Sequence, residues 1–387
     1  MKKLLKEDIQ ILEEKLIQNQ ISKEEFTKTF IFFSYLFYKG VRVVFQYPGS
    51  KQKMKVELNY IFEKLYLEKI EKTGKSFDIF IDGFAGAMNS TIVLMDSLIL
   101  SGVKKVIVND INPCLVQVHD DIRNNSEALI SEYSEIIRTK YIKKYGGLIL
   151  RLEQYEQIHF ELNEKFMQLQ KNNQFGIRTS VIFLLLQGVM FSGIPKYDNS
   201  EGARDTDFKF TYKVYDIERY HSVLFNQIPK IRQFSKIYNQ VEIEFRNQDF
   251  FEILDEFKGN PNVLFNLDVP YIQEGKKILS EEHLSNMTSR DLEDCVINYN
   301  LYFDHLKIIK ELENINFIYN NNAHPILNYY ANKFDIEVGD FIRKEVTSNK
   351  LNGKVKDVKE LILFKNSLLH KPSNLNNTDY SPSQLVA

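Results

Sequence analysis

The sequence predicts an α/β fold with a largely helical insertion, and three observations carry that prediction. A β-rich run, Phe77 to Asp82, turns through small residues into the helical apolar pattern Ile92, Val93, Leu94, Leu98. A second apolar strand follows at Lys105 to Val108, and strand patterns resume near Gln240 after a long strand-poor stretch. Strands alternating with helices are the signature of an open sheet covered by helices.

Length and composition set the frame. A chain of 387 residues is long for one domain, so a core domain with a large insertion or a small second domain is the natural expectation. With 43% hydrophobic and 26% charged residues, the composition excludes the disordered and membrane-embedded classes. The formal net charge of −2 provides no global basic field, so a nucleic-acid partner has to be held by a local basic surface. The only cysteines, Cys114 and Cys295, lie far apart without CxxC or Cys/His spacing. That disfavours a disulfide framework and a structural zinc site, so no metal is expected and a reducing cytoplasm is the expected location.

Residues 1–39 read as an N-terminal helical extension, with Leu4, Leu5, Ile9, Leu12, Leu16 and Ile17 at helical spacing. Charge interrupts Met1-Lys-Lys-Leu-Leu-Lys-Glu before any secretory core forms, and the apolar run Phe30 to Tyr38 is about half the length that spans a bilayer, so it reads as a buried helix. No membrane partner is expected. Residues 40–123 form the first part of the core. They open with Tyr47-Pro-Gly-Ser-Lys51, whose Gly49 and Lys51 at a helix entry offer backbone N–H groups and an ammonium to an anion. Pro-Gly is also a common surface turn.

In the strand, turn and helix at 77–98, Asp82 ends the strand, while Gly83 and Gly86 on either side of Phe84 let backbone approach a ligand, as in nucleotide-binding βα units. Asp110, just past the second strand, stands where a Rossmann-like fold holds ribose hydroxyls. Residues 124–240 form the helical insertion, read as the target-recognition part. Its polar loop Lys196 to Gly202 and nearby Arg204 supply candidate DNA contacts in Lys196, Tyr197, Asn199 and Arg204. Lys140, Lys143 and Lys144 form a basic cluster that fits a solvated helix face as well as a phosphate-binding one.

Residues 241–370 complete the core, and 371–387, rich in Pro, Ser and Asn, read as a disordered tail. Asp249 and Phe250 suit a pair that accepts from an adenine amine and covers its ring. The strand Val263-Leu-Phe leads into Asn266-Leu-Asp-Val-Pro-Tyr271, where a carboxylate, a stiffening proline and an aromatic face converge on one loop. That combination suits the exocyclic amine of a base. By itself it is also what an ordinary strand exit presents, so the case for chemistry rests on the rest of the chain.

In their order these segments resemble the Dam-type (D12 class) DNA adenine N6-methyltransferases. Tyr47 to Lys51 is similar to the family's aromatic-x-Gly-Gly/Ser-Lys turn, Phe84-Ala-Gly86 to its cofactor loop, and Asn109 to Asn112 to its Asn-Asp-x-Asn element. Phe191 to Gly202, Gln248-Asp-Phe250, Asp268-Val-Pro-Tyr271 and Glu360-Leu-Ile-Leu resemble its later elements. The resemblance implies a Rossmann-like S-adenosylmethionine-dependent core and double-stranded DNA as the partner. It further implies that Tyr47 and Lys51 meet the methionine end of the donor, Asp110 its ribose, and Asp249 with Phe250 its adenine. Asp268, Val269 (through its carbonyl), Pro270 and Tyr271 then form the catalytic loop acting on a flipped-out adenine.

Two departures stand out. Val269 replaces the family's usual proline, and Met88 stands where many members have a further glycine. They keep open a degenerate relative that binds DNA or donor without turnover, beside an enzyme acting on cytosine N4 or RNA. An active enzyme fits either the modification arm of a restriction system, with an endonuclease partner, or a stand-alone methyltransferase.

Overall fold

The computed structural model describes residues 22, 51–189, 196–197, 208–209, 217–272, 288, 290–291, 293–294, 303–346 and 355–366. The helices expected over 1–39, Tyr47 and Gly49 of the first turn, Asn199 and Arg204, and the tail from 371 lie outside them. The chain divides into two compact units, Lys51–Asn109 with Gln248–Ala387 and Met1–Ser50 with Asp110–Asn247.

The first unit begins with a 3-10 turn, Lys51–Met54, that runs into helix α1, Lys55–Thr73. Leu58, Ile61, Phe62 and Leu65 recur at helical spacing and are all buried, which fixes the inward face of α1. Gly74 ends the helix at φ 69°, its N–H bonding the Ile70 carbonyl. Strand β1, Ile79–Asp82, helix α2, Asn89–Leu100, and strand β2, Lys105–Asn109, follow in the expected order.

Between Asp110 and Asn247 the chain is mainly helical. It runs through α3, Pro113–Asn124, α4, Ser126–Ile137, α5, Leu152–Lys171, and α6, Ile177–Val189. A two-residue antiparallel pair, β3 at Lys196–Tyr197 and β4 at Phe208–Lys209, precedes α7, Ile217–Tyr238, and strand β5, Glu242–Arg246. Helix α6 is the centre of this unit, with Val181 to Leu186 all buried and α3, α4, α5 and α7 packed around it. A helix apolar on every side is stable only when it is surrounded in this way. Lys140 and Lys144 both pair with Glu161, Lys140 at 3.1 Å, so this part of the basic cluster is an ion-paired helix surface.

The chain returns to the first unit with α8, Phe250–Phe257, β6, Val263–Asp268, α9, His305–Glu311, and β7, Asn316–Asn322. Helix α10, Pro325–Lys333, and strands β8, Glu337–Val346, and β9, Val355–Asn366, complete it. The strands of this unit lie in the order β2-β1-β6-β7-β9-β8, the first four mutually parallel and β9 antiparallel to both its neighbours. This is a mixed, mainly parallel α/β sheet. Phe265, Leu267, Phe317, Tyr319, Leu361 and Leu363 face a core shared with Ile253 of α8, Ile309 of α9 and Leu327 of α10. Because side chains alternate along a strand, Asn266 and Asp268 face the other side. Strand β8 begins two residues past Asp335, which turns the chain at φ 52°.

Two buried histidines give this unit an acid limit. Burial lowers the pKa values of both His305 and His324 to about 4, and the His324 Nδ1 accepts the Ile326 N–H at the start of α10. With the folded pKa below the ordinary 6.5, the unfolded chain binds more protons between those values, so stability is full above about pH 6.5 and falls as pH drops toward 4. We expect urea unfolding to show a loss of about 1–3 kcal/mol between pH 7 and pH 5; a midpoint that does not move would mean that these rings are protonated in the fold.

Candidate active site

Strand β6 ends at Asp268 on the carboxyl edge of the parallel sheet, where ligands of open α/β sheets bind. The next residues are held very differently from one another: Val269 is buried in the core, Pro270 is exposed, and Tyr271 is partly buried. The side chain that gathers them is Lys51, only 1% exposed. Its Nζ lies 3.0 Å from Asp268 Oδ1, donates to the Tyr271 hydroxyl at 2.5 Å and to Glu360 Oε2 at 3.4 Å, and sits 4.9 Å from the Tyr271 ring centroid. An ammonium has three donors, and three acceptors surround this one. Burial works against the charge on Lys51, but Asp268, Tyr271 and Glu360 outweigh it and hold its pKa above the usual lysine value. Burial, then the Asp268 charge, pushes the Tyr271 hydroxyl above the usual tyrosine range, so it stays a neutral phenol.

The glycine loop lies one strand away. Asp82 ends β1 with its carboxylate buried, accepting from the Thr91 hydroxyl at 2.5 Å and from Asn266 Nδ2 at 3.2 Å. In this arrangement Asp82 braces the loop against α2 and β6. Asn109 does the same from β2, donating to the carbonyls of Gly83 at 3.3 Å and Gln248 at 3.2 Å and accepting from the Gln248 N–H at 3.1 Å. A Cβ at Gly83 would stand 2.6 Å from the Phe250 ring, so only glycine lets that ring lie against the loop backbone.

Gly86 at φ 50° and Met88 at φ 55° both adopt the left-handed conformation. For methionine this costs about 1–2 kcal/mol, yet Met88 is wholly buried, and truncating a buried methionine costs about 2–5 kcal/mol. The packing term wins. Met88→Gly is therefore expected to destabilise the protein by about 1–3 kcal/mol in urea unfolding, although it restores a glycine; a gain in stability would show that the strain dominates.

Phe84 and Phe250 meet with ring centroids 4.7 Å apart, and Phe303 packs edge-on against Phe84 at 5.2 Å. Asp249 caps α8, its Oδ1 accepting the Phe251 N–H at 2.7 Å. Asp110 belongs to the other unit, where its Oδ1 accepts the Asn112 N–H at 2.9 Å and its carbonyl accepts from Asn247 at 2.8 Å.

A family model for the D12 class N6 adenine-specific DNA methyltransferases matches residues 47–344. The chain belongs to that family. A search of curated proteins found no match. The methyltransferase match takes in Lys51, the glycine loop, Asp249 and the Asp268 to Tyr271 loop, but stops short of β9 and so of Glu360. Of the expected DNA contacts, Lys196 and Tyr197 are described only as backbone of β3. Among the described residues, no helix is long and apolar enough to cross a membrane, and no cluster of His, Cys, Asp and Glu could hold a metal ion.

Sequence reasoning assigns no site role to Glu360, Asn109 or Phe303. Glu360 had a signal, a carboxylate opening the apolar run Leu361-Ile-Leu-Phe364, which in a buried strand calls for a cation. Its partner lies 309 residues away in sequence, and no spacing rule reaches that far.

Proposed function

We propose that this protein transfers a methyl group from S-adenosylmethionine to N6 of an adenine flipped out of double-stranded DNA. The observation that carries the reading is the Lys51 node, which joins the catalytic-loop residues Asp268 and Tyr271 to a strand at the carboxyl edge of the sheet. The donor is assigned to the glycine loop, one strand away, where the Phe250 ring packs on Gly83 and Gly86 turns the chain at φ 50°. One ammonium facing two carboxylates leaves a formally negative site, which suits a cationic donor. S-adenosylmethionine supplies an activated methyl group on its sulfonium.

The chain's own residues deal with the acceptor. The N6 lone pair is delocalised into the adenine ring, so N6 is a poor nucleophile. Asp268 and the carbonyl of Val269 each accept one N6 hydrogen, drawing the nitrogen toward tetrahedral geometry and freeing its lone pair. Tyr271 stacks on the ring as a neutral phenol, its hydroxyl held by Lys51. Asp268 serves as an acceptor and not as a strong base, because the methylated amine is acidic enough to lose its proton late. Positioning and charge stabilisation supply most of the rate, while flipping the base costs a few kcal/mol.

Because the three Nζ donors of Lys51 are already directed at protein acceptors, its role in this reading is to order the catalytic loop, with the methionine end of the donor approaching it together with Tyr47. Asp110 takes the ribose, and Asp249 with Phe250 takes the donor adenine. The largely helical residues 124–240 read the DNA through Lys196, Tyr197, Asn199 and Arg204, and the core is Rossmann-like. The location is cytoplasmic, either beside a restriction endonuclease or alone.

Transfer of labelled methyl from S-adenosylmethionine to unmethylated duplex DNA tests the reading. Donor binding by calorimetry without any transfer would favour the degenerate relative that Val269 and Met88 keep open.

A further inference from the structure

The residue after the catalytic tetrad is gripped on both sides of its backbone. Asn321 Oδ1 accepts the Ile272 N–H at 2.9 Å, and Asn322 Nδ2 donates to the Ile272 carbonyl at 3.4 Å. Asn321 is itself fully buried and bonded through both ends of its carboxamide: its Oδ1 also accepts the Asn322 N–H at 2.8 Å, and its Nδ2 donates to the Tyr319 hydroxyl at 3.1 Å. Tyr319 is wholly buried in the core beneath β7. A chain of hydrogen bonds thus runs from the core, through one carboxamide, to the end of the loop that starts at Asp268.

The loop needs such a hold. Proline at position 269 would fix φ there and Val269 does not, while Pro270 confines Val269 to extended backbone, so what is left to restrain is the chain beyond Pro270. The Val269 side chain is pinned in the core, and Pro270 fixes its own φ, but neither holds the far end of the loop. A carboxamide is suited to the task, because it offers an acceptor and a donor from one planar group. Ile272 is buried, so both of its backbone groups need partners, and two consecutive asparagines supply them.

We infer that Asn321 is a positioning residue for methyl transfer, the brace that sets the tetrad's carbonyl and Tyr271 and replaces the restraint lost with proline at 269. The inference rests on the proposed function. It predicts a specific epistasis, in which a proline at 269 compensates for loss of Asn321.

The test compares wild type, Asn321→Ala, Val269→Pro and the double variant in single-turnover methyl transfer to duplex DNA, with donor affinity measured by calorimetry and backbone exchange followed at Ile272. Asn321→Ala should slow transfer about ten- to a hundredfold, leave donor affinity within about threefold, and speed exchange at Ile272. The double variant should recover most of the lost rate. Tyr319→Phe, which keeps the core packing and removes only the hydroxyl, should give a smaller loss of the same kind and carries the test if Asn321→Ala does not fold. Unchanged transfer, a loss matched by lost donor affinity, or a double variant no faster than Asn321→Ala would overturn the inference. Wild-type protein without transfer would overturn the underlying function instead, and that result is read before any variant is compared.

Discussion

Asp268→Ala is expected to abolish methyl transfer, by at least about a thousandfold, while donor binding survives in part. Removing one group that stabilises charge in a transition state costs about a hundred- to a thousandfold, and the proposed mechanism gives Asp268 a second task. It also anchors Lys51 at 3.0 Å, so its loss leaves the ammonium that holds the Tyr271 hydroxyl with one carboxylate instead of two. One loop function is lost and a second is weakened. Single-turnover transfer and donor calorimetry on the same preparation separate chemistry from binding. Full activity in the variant would remove Asp268 from the mechanism.

The second large effect is on Lys51. In Lys51→Met, the carboxylates of Asp268 and Glu360 lose the cation between them, and breaking a buried ion pair from one side costs about 3–5 kcal/mol. The lower end applies, since the Asp268 side chain keeps 20% of its surface in water. Methyl transfer should fall at least about a hundredfold because the loop loses its tie to β9. Adding Glu360→Gln should return part of the stability but not the activity, a non-additivity that four urea unfolding curves can measure. If Glu360→Gln adds its own loss in full, the two residues are not coupled.

The pH behaviour of this pair has a definite sign. The folded pKa of Lys51 lies above its ordinary 10.5, so the contribution of the ion pair is full below that pH and is lost only as pH rises further. It therefore does not change between pH 6 and pH 9. Between pH 7 and pH 5 the loss expected in that unit comes from His305 and His324.

The strands were legible because buried parallel strands read as short apolar runs, as in Val106-Ile-Val108 and Val263-Leu-Phe265. Strand β8 was legible only at its start. Its later part, Gly339-Asp-Phe-Ile-Arg-Lys344, mixes charge with apolar residues, and it is a strand because it pairs along its length with β9. The Asp268 to Tyr271 loop was legible as a strand exit that carries a carboxylate, a proline and an aromatic ring, and residue types alone did not set it apart from an ordinary one. What surrounds that loop was not legible. Glu360 and Asn321 act through hydrogen bonds to residues 309 and 49 positions away, and only the order of strands in the sheet brings them together. Met88 is the reverse case: its departure from glycine was visible, but not that its side chain is wholly buried.

The most direct measurement is the identity of the methylated nucleoside. Purified protein is incubated with unmethylated duplex DNA and S-adenosylmethionine, and the DNA is digested and analysed by mass spectrometry beside an Asp268→Ala control. N6-methyladenine from the wild type and none from the control is the predicted result. N4-methylcytosine, or no methylated nucleoside from a protein that binds the donor, would contradict it.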